Sequence, residues 1–359
     1  MKKHLFCVLM ACLAIVGVSA KSDIPMVVAH RGAWIKNLIP ENSLDGIRMA
    51  QRFGIKGIEC DVKYTADKVM VVMHDATINR TMRNAGDYSV IQEPVKVSEK
   101  TFAELRRDYV LASEDPTFRK PIPTLEEMLL ECRKYNVTPM LHSHLTESYE
   151  KAQEIMGDKW VCFMSDDRLA LKAREFSDCV VLLDPGTDTV DNVIKRLERI
   201  GRPCGISTMK YKMLDKNFIA PLRRLDFEVQ SSIFPTPHEM QSIHDGVSIV
   251  LSDFSWLQEK TMRKSQIAKW NWKGSLQKGE KIEHAMEQTP ALGAMTLQIA
   301  FEGKLRITVN GERTYEVEHD RMDRELAGWR MHDTKAHLVI EALDNTIVKS
   351  VQAKFYDIP

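Results

Sequence analysis

The stretch TLEEMLLECRKYNVTPMLHSHL, residues 124–145, decides the fold class. A helix-like segment leads directly into PMLHSHL, a short apolar run typical of a buried strand. This alternation continues outward in both directions, from MVVAH at 26–30 to GVSIVLSD at 246–253. About eight such units in roughly 230 residues, with strands apolar on both faces, predict an α/β protein with a TIM (β/α)8 barrel rather than an open sheet.

Polar residues stand at or just past the carboxyl ends of these apolar runs. They are His30, Glu59, Asp61, His74, His142, His144, Ser165, Asp184 and Asp253. In a TIM barrel the carboxyl ends of the strands form the active-site face. Their position therefore favours catalysis or ligand binding over a structural role.

Beyond Trp256 the sequence changes character. KWNWKGSLQKGEK, residues 269–281, is rich in lysine, glycine and tryptophan and resembles a linker. The residues after it alternate apolar and polar with period two, and Asn310-Gly311 is a strong hairpin signal. The predicted organisation is a barrel over 21–260, a linker over 261–284, and a small antiparallel β C-terminal domain or extension over 285–359.

The amino terminus has the features of a secretory signal peptide over residues 1–20. Two lysines precede an apolar run from Leu5 to Val18 that is too short to span a bilayer, and Val18-Ser19-Ala20 is a small-residue cleavage site. We expect a periplasmic or secreted protein whose mature chain has no transmembrane segment. Acylation of Cys12 as a lipoprotein is the alternative, although the apolar run continues past this cysteine.

Charge and cysteine content exclude several function classes. The chain has 50 basic and 50 acidic residues, and removal of the signal leaves a slight acidic excess, so nothing indicates nucleic-acid binding. The cysteines beyond the signal are odd in number and mostly lie in apolar runs. This pattern favours buried thiols over a disulfide framework or a Cys-x-x-Cys metal site. The sequence predicts no oligomeric state.

Glu59 and Asp61 lie on one face of a strand, with Cys60 facing away. Two carboxylates so close repel each other unless a cation lies between them, which predicts a divalent-metal site. His30 and His74 end two further strands. Two histidines around a metal suit phosphodiester cleavage, because one removes a proton from the attacking oxygen and the other protonates the leaving oxygen.

Together the motifs resemble the glycerophosphodiester phosphodiesterase family. The family pattern is H-R-G, P-E-N-[TS], E-x-D, H-D and P-T-L-x-E, and this chain has the motifs in that order: His30-Arg31-Gly32, Pro40-Glu41-Asn42-Ser43, Glu59-Cys60-Asp61, His74-Asp75 and Pro123-Thr124-Leu125-Glu126-Glu127. Residues 246–253 resemble the family's last barrel strand. Five ordered motifs are jointly specific, although each alone is weak.

The resemblance implies a TIM barrel that hydrolyses small-molecule glycerophosphodiesters to sn-glycerol 3-phosphate and an alcohol. His30 and His74 match the general acid and base, and Arg31 matches the phosphate-binding arginine. Glu59 and Asp61 match two ligands of one divalent metal. Glu41 matches an acid that supports the loops of the site.

The chain departs from the family pattern after the P-T-L-x-E helix. The family normally has E-x-K there, and this chain has His142-Ser143-His144. Alternation along a strand predicts that both histidines face the site, His142 as a metal ligand and His144 as a phosphate contact when protonated. Imidazole favours zinc or manganese over calcium or magnesium, so Ca, Mg, Mn and Zn all stay open.

Two alternatives also stay open. The first is a phospholipase D-like or lyase relative that acts on another phosphodiester with the same histidine pair. The second is a catalytically impaired binding protein in which loss of E-x-K has ended turnover. Retention of His30 and His74 favours an enzyme.

Overall fold

The structure is a computed structural model that describes residues 25–35, 37–208, 214–232, 246–253, 255, 268–285, 292–309, 313–318, 321–330 and 337–357. The predicted signal peptide with Cys12, the segment 256–267 and the Asn310-Gly311 turn lie outside the described residues. Within the described ranges, no helix combines the length and the apolar character that crossing a bilayer requires.

The first part of the chain is an α/β domain. Its strands are β1 (Met26–Ala29), β2 (Gly57–Tyr64), β3 (Met70–Val72), β4 (Met82–Asn84), β5 (Tyr109–Leu111), β6 (Thr138–His142), β7 (Val161–Ser165), β8 (Val180–Leu183), β9 (Cys204–Thr208), β10 (Glu228–Ser232) and β11 (Ile249–Ser252). Its helices are α1 (Leu44–Arg52), α2 (Phe102–Asp108), α3 (Leu125–Tyr135), α4 (Thr146–Met156), α5 (Asp167–Phe176), α6 (Val190–Ile200) and α7 (Lys216–Arg224).

Eight parallel strands close into a barrel in the order β1, β2, β6, β7, β8, β9, β10, β11, and β11 pairs back to β1. Helices α1 and α3 to α7 connect successive barrel strands. The predicted TIM barrel is confirmed. The five described cysteines are buried free thiols, as their apolar surroundings predicted.

Two of the sequence motifs begin helices. Thr124 is the N-cap of α3 and forms a reciprocal capping box with Glu127, and Ser43 caps α1 by accepting from the Gly46 N–H. Such caps satisfy backbone N–H groups that have no partner within the helix. The P-T-L-x-E and P-E-N-S motifs therefore fix where the helices start behind the site.

Alternation along the strands places the polar residues at the mouth of the barrel. The barrel interior is filled by Val28, Met140, Phe163, Leu182 and Leu251, with Val161 and Ile249 beneath. Two residues further along each strand, the same inward face continues as His30, His142, Ser165, Asp184 and Asp253. The core of the barrel thus becomes the floor of a polar site.

An insertion between β3 and α3 was not predicted. It contains the paired strands β4 and β5 and helix α2. Its own small core includes Ile78, Met82, Leu105, Leu111 and Ile122. The insertion follows His74, so it borders the carboxyl-end face of the barrel.

The C-terminal part forms two antiparallel sheets. Its strands are β12 (Ala268–Leu276), β13 (Lys281–Ala285), β14 (Leu292–Glu302), β15 (Leu305–Val309), β16 (Arg313–Val317), β17 (Arg321–Arg330), β18 (His337–Ala342) and β19 (Thr346–Asp357). The sheets have the orders β12-β19-β14-β17 and β13-β18-β15-β16 and share one apolar core. The predicted antiparallel β-domain is confirmed.

The prediction of a linker over 261–284 is wrong for residues 268–284. These residues form β12 and most of β13, which pair with β19 and β18. Trp270 and Trp272 pack against the sandwich core, while Lys269, Asn271 and Lys273 point outward. The polar composition of residues 268–284 obscured the period-two pattern in the sequence. The β-domain starts at Ala268 rather than at residue 285.

Candidate active site

Glu59, Asp61 and His142 meet at the mouth of the barrel. Asp61 on β2 is paired in register with His142 at the end of β6. Each of the three residues offers one ligand atom, and these atoms lie within 4.8 Å of one another. The set of two carboxylates and one imidazole has the composition of a divalent-metal site.

Glu59 is almost fully buried, with 1% of its surface exposed. Its Oε2 accepts a hydrogen bond from the Arg31 backbone N–H at 3.0 Å, and its Oε1 is buried with no partner among the described residues. Burial, and then the charge of Asp61, raises the pKa of Glu59. A buried carboxylate oxygen without a partner is costly, and a cation would compensate it, so these residues fit a metal ion.

Asp61 has more partners than Glu59. Burial acts to raise the pKa of Asp61, but hydrogen bonds with His142 and Asn42, at 3.1 and 3.2 Å, bring this pKa below its ordinary value. The structure therefore favours the ionised form of Asp61, the form that binds a cation.

His30 lies at the end of β1, beside the end of β11. Its Nδ1 is 2.6 Å from Asp253 Oδ1, and its Nε2 is 3.8 Å from Glu59 Oε2. Only 14% of the His30 side chain is exposed. Asp253 therefore fixes the ring so that Nε2 is directed toward the acidic cluster.

His74 follows β3 and has a similar partner. Its Nδ1 is 2.7 Å from Asp75 Oδ1, and 41% of its side chain is exposed. A neutral imidazole that donates through Nδ1 keeps the lone pair on Nε2 for proton exchange. Both histidines thus have a carboxylate at one nitrogen, an arrangement that suits acid–base catalysis.

Arg31 lies in a left-handed conformation, with φ of 56°. Its Nη1 donates to Glu41 Oε1 at 3.1 Å, and its Nε lies 3.7 Å from Asp61 Oδ2. The guanidinium is held next to the acidic cluster, where it can neutralise a phosphoryl group.

Glu41 joins Arg31 to a second arginine. Arg80 donates to both Glu41 oxygens at 2.7 Å and, through Nε, to Asp75 Oδ2 at 2.7 Å. The hydrogen bond from Arg80 is the main cause that lowers the pKa of Asp75 to about 2. A continuous chain of hydrogen bonds therefore runs from Arg31 to the carboxylate that holds His74.

His144 does not continue the strand. β6 ends at His142, Ser143 is buried, and His144 is exposed in a bend. The ring centroids of the two histidines are 6.2 Å apart. His144 borders a depression of about 420 Å³ that also contains Asp166, Asp184, Asp188 and Arg196. Because β6 ends at His142, strand alternation does not extend to residue 144, and the bend sets the position of His144.

Residues 30–176 match the model of the "Glycerophosphoryl diester phosphodiesterase family". The mouse protein named Glycerophosphodiester phosphodiesterase 1 is 32% identical over 149 residues, which are 38% of this chain and 41% of the mouse protein.

Residues 30–176 therefore resemble the glycerophosphodiester phosphodiesterase family.

A second relative, the Bacillus altitudinis Glycerophosphodiester phosphodiesterase, is 30% identical over 151 residues, or 41% of this chain and 57% of that protein. The chain thus spans about half the length of these relatives.

Solved structures share the barrel. An Oleispira antarctica phosphodiesterase in complex with the product sn-glycerol-3-phosphate has a TM-score of 0.53 and 19% identity, and the match covers 67% of this chain and 97% of that one. The glycerophosphodiester phosphodiesterase from Agrobacterium tumefaciens has a TM-score of 0.52 and 17% identity, with 66% and 99% covered. At these identities the likeness establishes the fold.

Sequence reasoning missed the role of three residues in this candidate site. Asp253 was recognised as a strand-end residue, but not as the partner of His30, and Arg80 and Asn42 were given no role. The H-D motif gives a local signal for Asp75, next to His74. Arg80 lies six residues after His74, and no sequence pattern shows that it reaches back to Glu41.

Proposed function

We propose that this protein hydrolyses glycerophosphodiesters to sn-glycerol 3-phosphate and an alcohol, with one divalent metal and with His30 and His74 as the acid–base pair. One observation carries the proposal. Two histidines, each with a carboxylate at Nδ1, stand at the barrel mouth that also holds the buried acidic pair. The family match and the product-bound Oleispira structure support this substrate class.

Glu59, Asp61 and His142 would hold the metal. When bound, a divalent cation supplies positive charge that polarises the phosphoryl oxygens. Arg31 adds a second positive group, oriented by Glu41 and by the backbone contact to Glu59. These fixed charges lower the barrier because they require little rearrangement as negative charge develops on the phosphoryl group.

The histidines exchange the protons. One imidazole takes the proton of the attacking oxygen at Nε2 while that oxygen bonds to phosphorus, and the other gives a proton to the ester oxygen as its bond to phosphorus breaks. Asp253 and Asp75 hold the two rings and stabilise each imidazole when it carries the proton. The departing alcohol leaves neutral, and the net reaction consumes one water.

The test measures glycerol phosphate release from a panel of glycerophosphodiesters by mature protein that has been stripped of metal and refilled with Ca, Mg, Mn or Zn. We expect one metal to restore turnover and a His30→Ala variant to abolish it. A preference for Mn or Zn supports His142 as a ligand.

Absence of glycerol phosphate release with every metal and substrate contradicts the proposal. If the protein then still binds a glycerophosphodiester, and His30→Ala leaves that affinity unchanged, the binding-protein alternative gains support. Turnover of other phosphodiesters alone favours the phospholipase D-like or lyase alternative.

A further inference from the structure

A cavity of about 780 Å³ lies beside the candidate active site, between the loop after β1 and the insertion after β3. Glu41 and Arg80 form one wall of this cavity. The same two side chains connect Arg31 to Asp75 and His74. Arg80 in the cavity wall is therefore linked through Asp75 to the proposed acid–base residue His74.

The far wall of the cavity is positively charged. Arg83 and Arg119 line it, and no carboxylate among the described residues lies within ion-pair distance of either guanidinium. Arg83 donates to the Met82 carbonyl, and Arg119 donates to the Ser113 and Glu114 carbonyls. Only Glu114 adds a further negative charge to the lining besides Glu41. Two cations face one carboxylate on this wall, which favours an anionic ligand.

Contacts of Tyr88 with Ser113 and Arg119 hold this wall of the cavity in place. Tyr88 has φ of 60°, a conformation that tyrosine rarely adopts. Its hydroxyl donates to the Ser113 carbonyl at 2.5 Å and accepts from the Ser113 N–H at 2.6 Å, and Arg119 lies 3.7 Å over its ring. Unusual backbone conformations persist where the surrounding contacts hold them, and they are concentrated at ligand sites. With Trp34 and Ile39, Tyr88 gives the cavity apolar surface beside the charges.

From these contacts we infer that the cavity binds the alcohol arm of the substrate, and that the preferred alcohol carries an anionic group of its own. The inference rests on the proposed function, because the phosphodiester must lie beside His74 for its alcohol arm to enter. The aromatic and aliphatic residues contact the carbon skeleton of the alcohol, and Arg83 and Arg119 bind the anionic group.

The experiment compares kcat/KM for glycerophosphoinositol and glycerophosphoinositol 4-phosphate, which differ by one phosphate. The metal-loaded, full-length mature protein should prefer the phosphorylated substrate by about tenfold, the effect of a hydrogen bond between charged groups. Arg83→Gln should bring the ratio of the two values close to one, and Arg83→Lys should keep part of the preference.

Arg107→Gln is the matched control. Arg107 is 70% exposed on α2 of the same insertion, outside the cavity lining, and its loss removes the same charge. The control should keep the wild-type ratio. Equal wild-type values for the two substrates, or an equal fall for both in Arg83→Gln, would overturn the inference.

A binding measurement separates this inference from the proposed function. Calorimetric titration of each substrate into a His74→Ala variant reports the preference without turnover. Tighter binding of the phosphorylated substrate, lost in His74→Ala/Arg83→Gln, supports the cavity assignment even where no hydrolysis is found. Equal affinities reject the assignment whatever the catalytic result.

Discussion

Asp253→Asn tests the carboxylate that orients His30. The 2.6 Å contact is short and His30 is mostly buried, so water screens it little. A hydrogen bond to a charged group contributes about 1.5–3 kcal/mol, and its loss when His30 carries the proton predicts a fall in kcat of roughly 10- to 100-fold. An asparagine that donates to Nδ1 would also leave the proton on Nε2, the wrong tautomer for a base.

The assay is steady-state release of glycerol phosphate, with Asp184→Asn as the matched control. Asp184 also stands at a strand end of the barrel mouth, but its carboxylate accepts from the Gly186 N–H instead of a histidine. We expect Asp184→Asn to stay within about threefold of wild type, as a surface change would. A folded Asp253→Asn protein with wild-type kcat would refute the role of Asp253.

Three further predictions concern the acidic residues and their arginine. Arg80→Gln should lower kcat by roughly tenfold because Glu41 and Asp75 lose a charged partner, with little change in the affinity for Mn²⁺, and a parallel loss of metal affinity would count against this role. Glu59→Gln should weaken Mn²⁺ binding in calorimetry by tenfold or more while the circular dichroism spectrum is unchanged, since a ligand charge is lost. The pKa of Asp75 falls from 3.8 to about 2 on folding, so its contribution of about 2 kcal/mol is complete above about pH 5 and is lost as pH falls toward 2. Urea unfolding of wild type and Asp75→Asn at pH 6 and pH 3 should therefore show a smaller acid-induced loss in the variant.

The barrel could be predicted because its signals are local. Alternation of buried strands and amphipathic helices is visible within each unit. Because side chains alternate between the two faces of a strand, Glu59 and Asp61 share one face and Cys60 lies on the other. The position of His142 beside Asp61 followed from the same parity, since His142 ends its strand opposite Asp61. Short-range rules therefore brought Glu59, Asp61 and His142 to one face of the barrel.

The partners of these residues could not be predicted in the same way. Asp253 is 223 positions from His30, and Arg80 is 39 positions from Glu41, so only the closed fold brings them together. The β12 strand was missed because of its lysines, and strand alternation did not apply to His144 because β6 ends two residues before it. Each error concerned an end of an element or a contact distant in sequence.

The contact between His30 and Asp253 joins the first and last strands of the barrel, because Ala29 and Ser252 are paired in register directly before them. A growing chain cannot orient His30 until β11 has been made and has added to the edge of β1. Catalytic turnover would then require closure of the barrel. A fragment that ends at residue 176, where the family match ends, contains both histidines and both carboxylates of β2. It lacks β11, whose pairing with β1 aligns these residues.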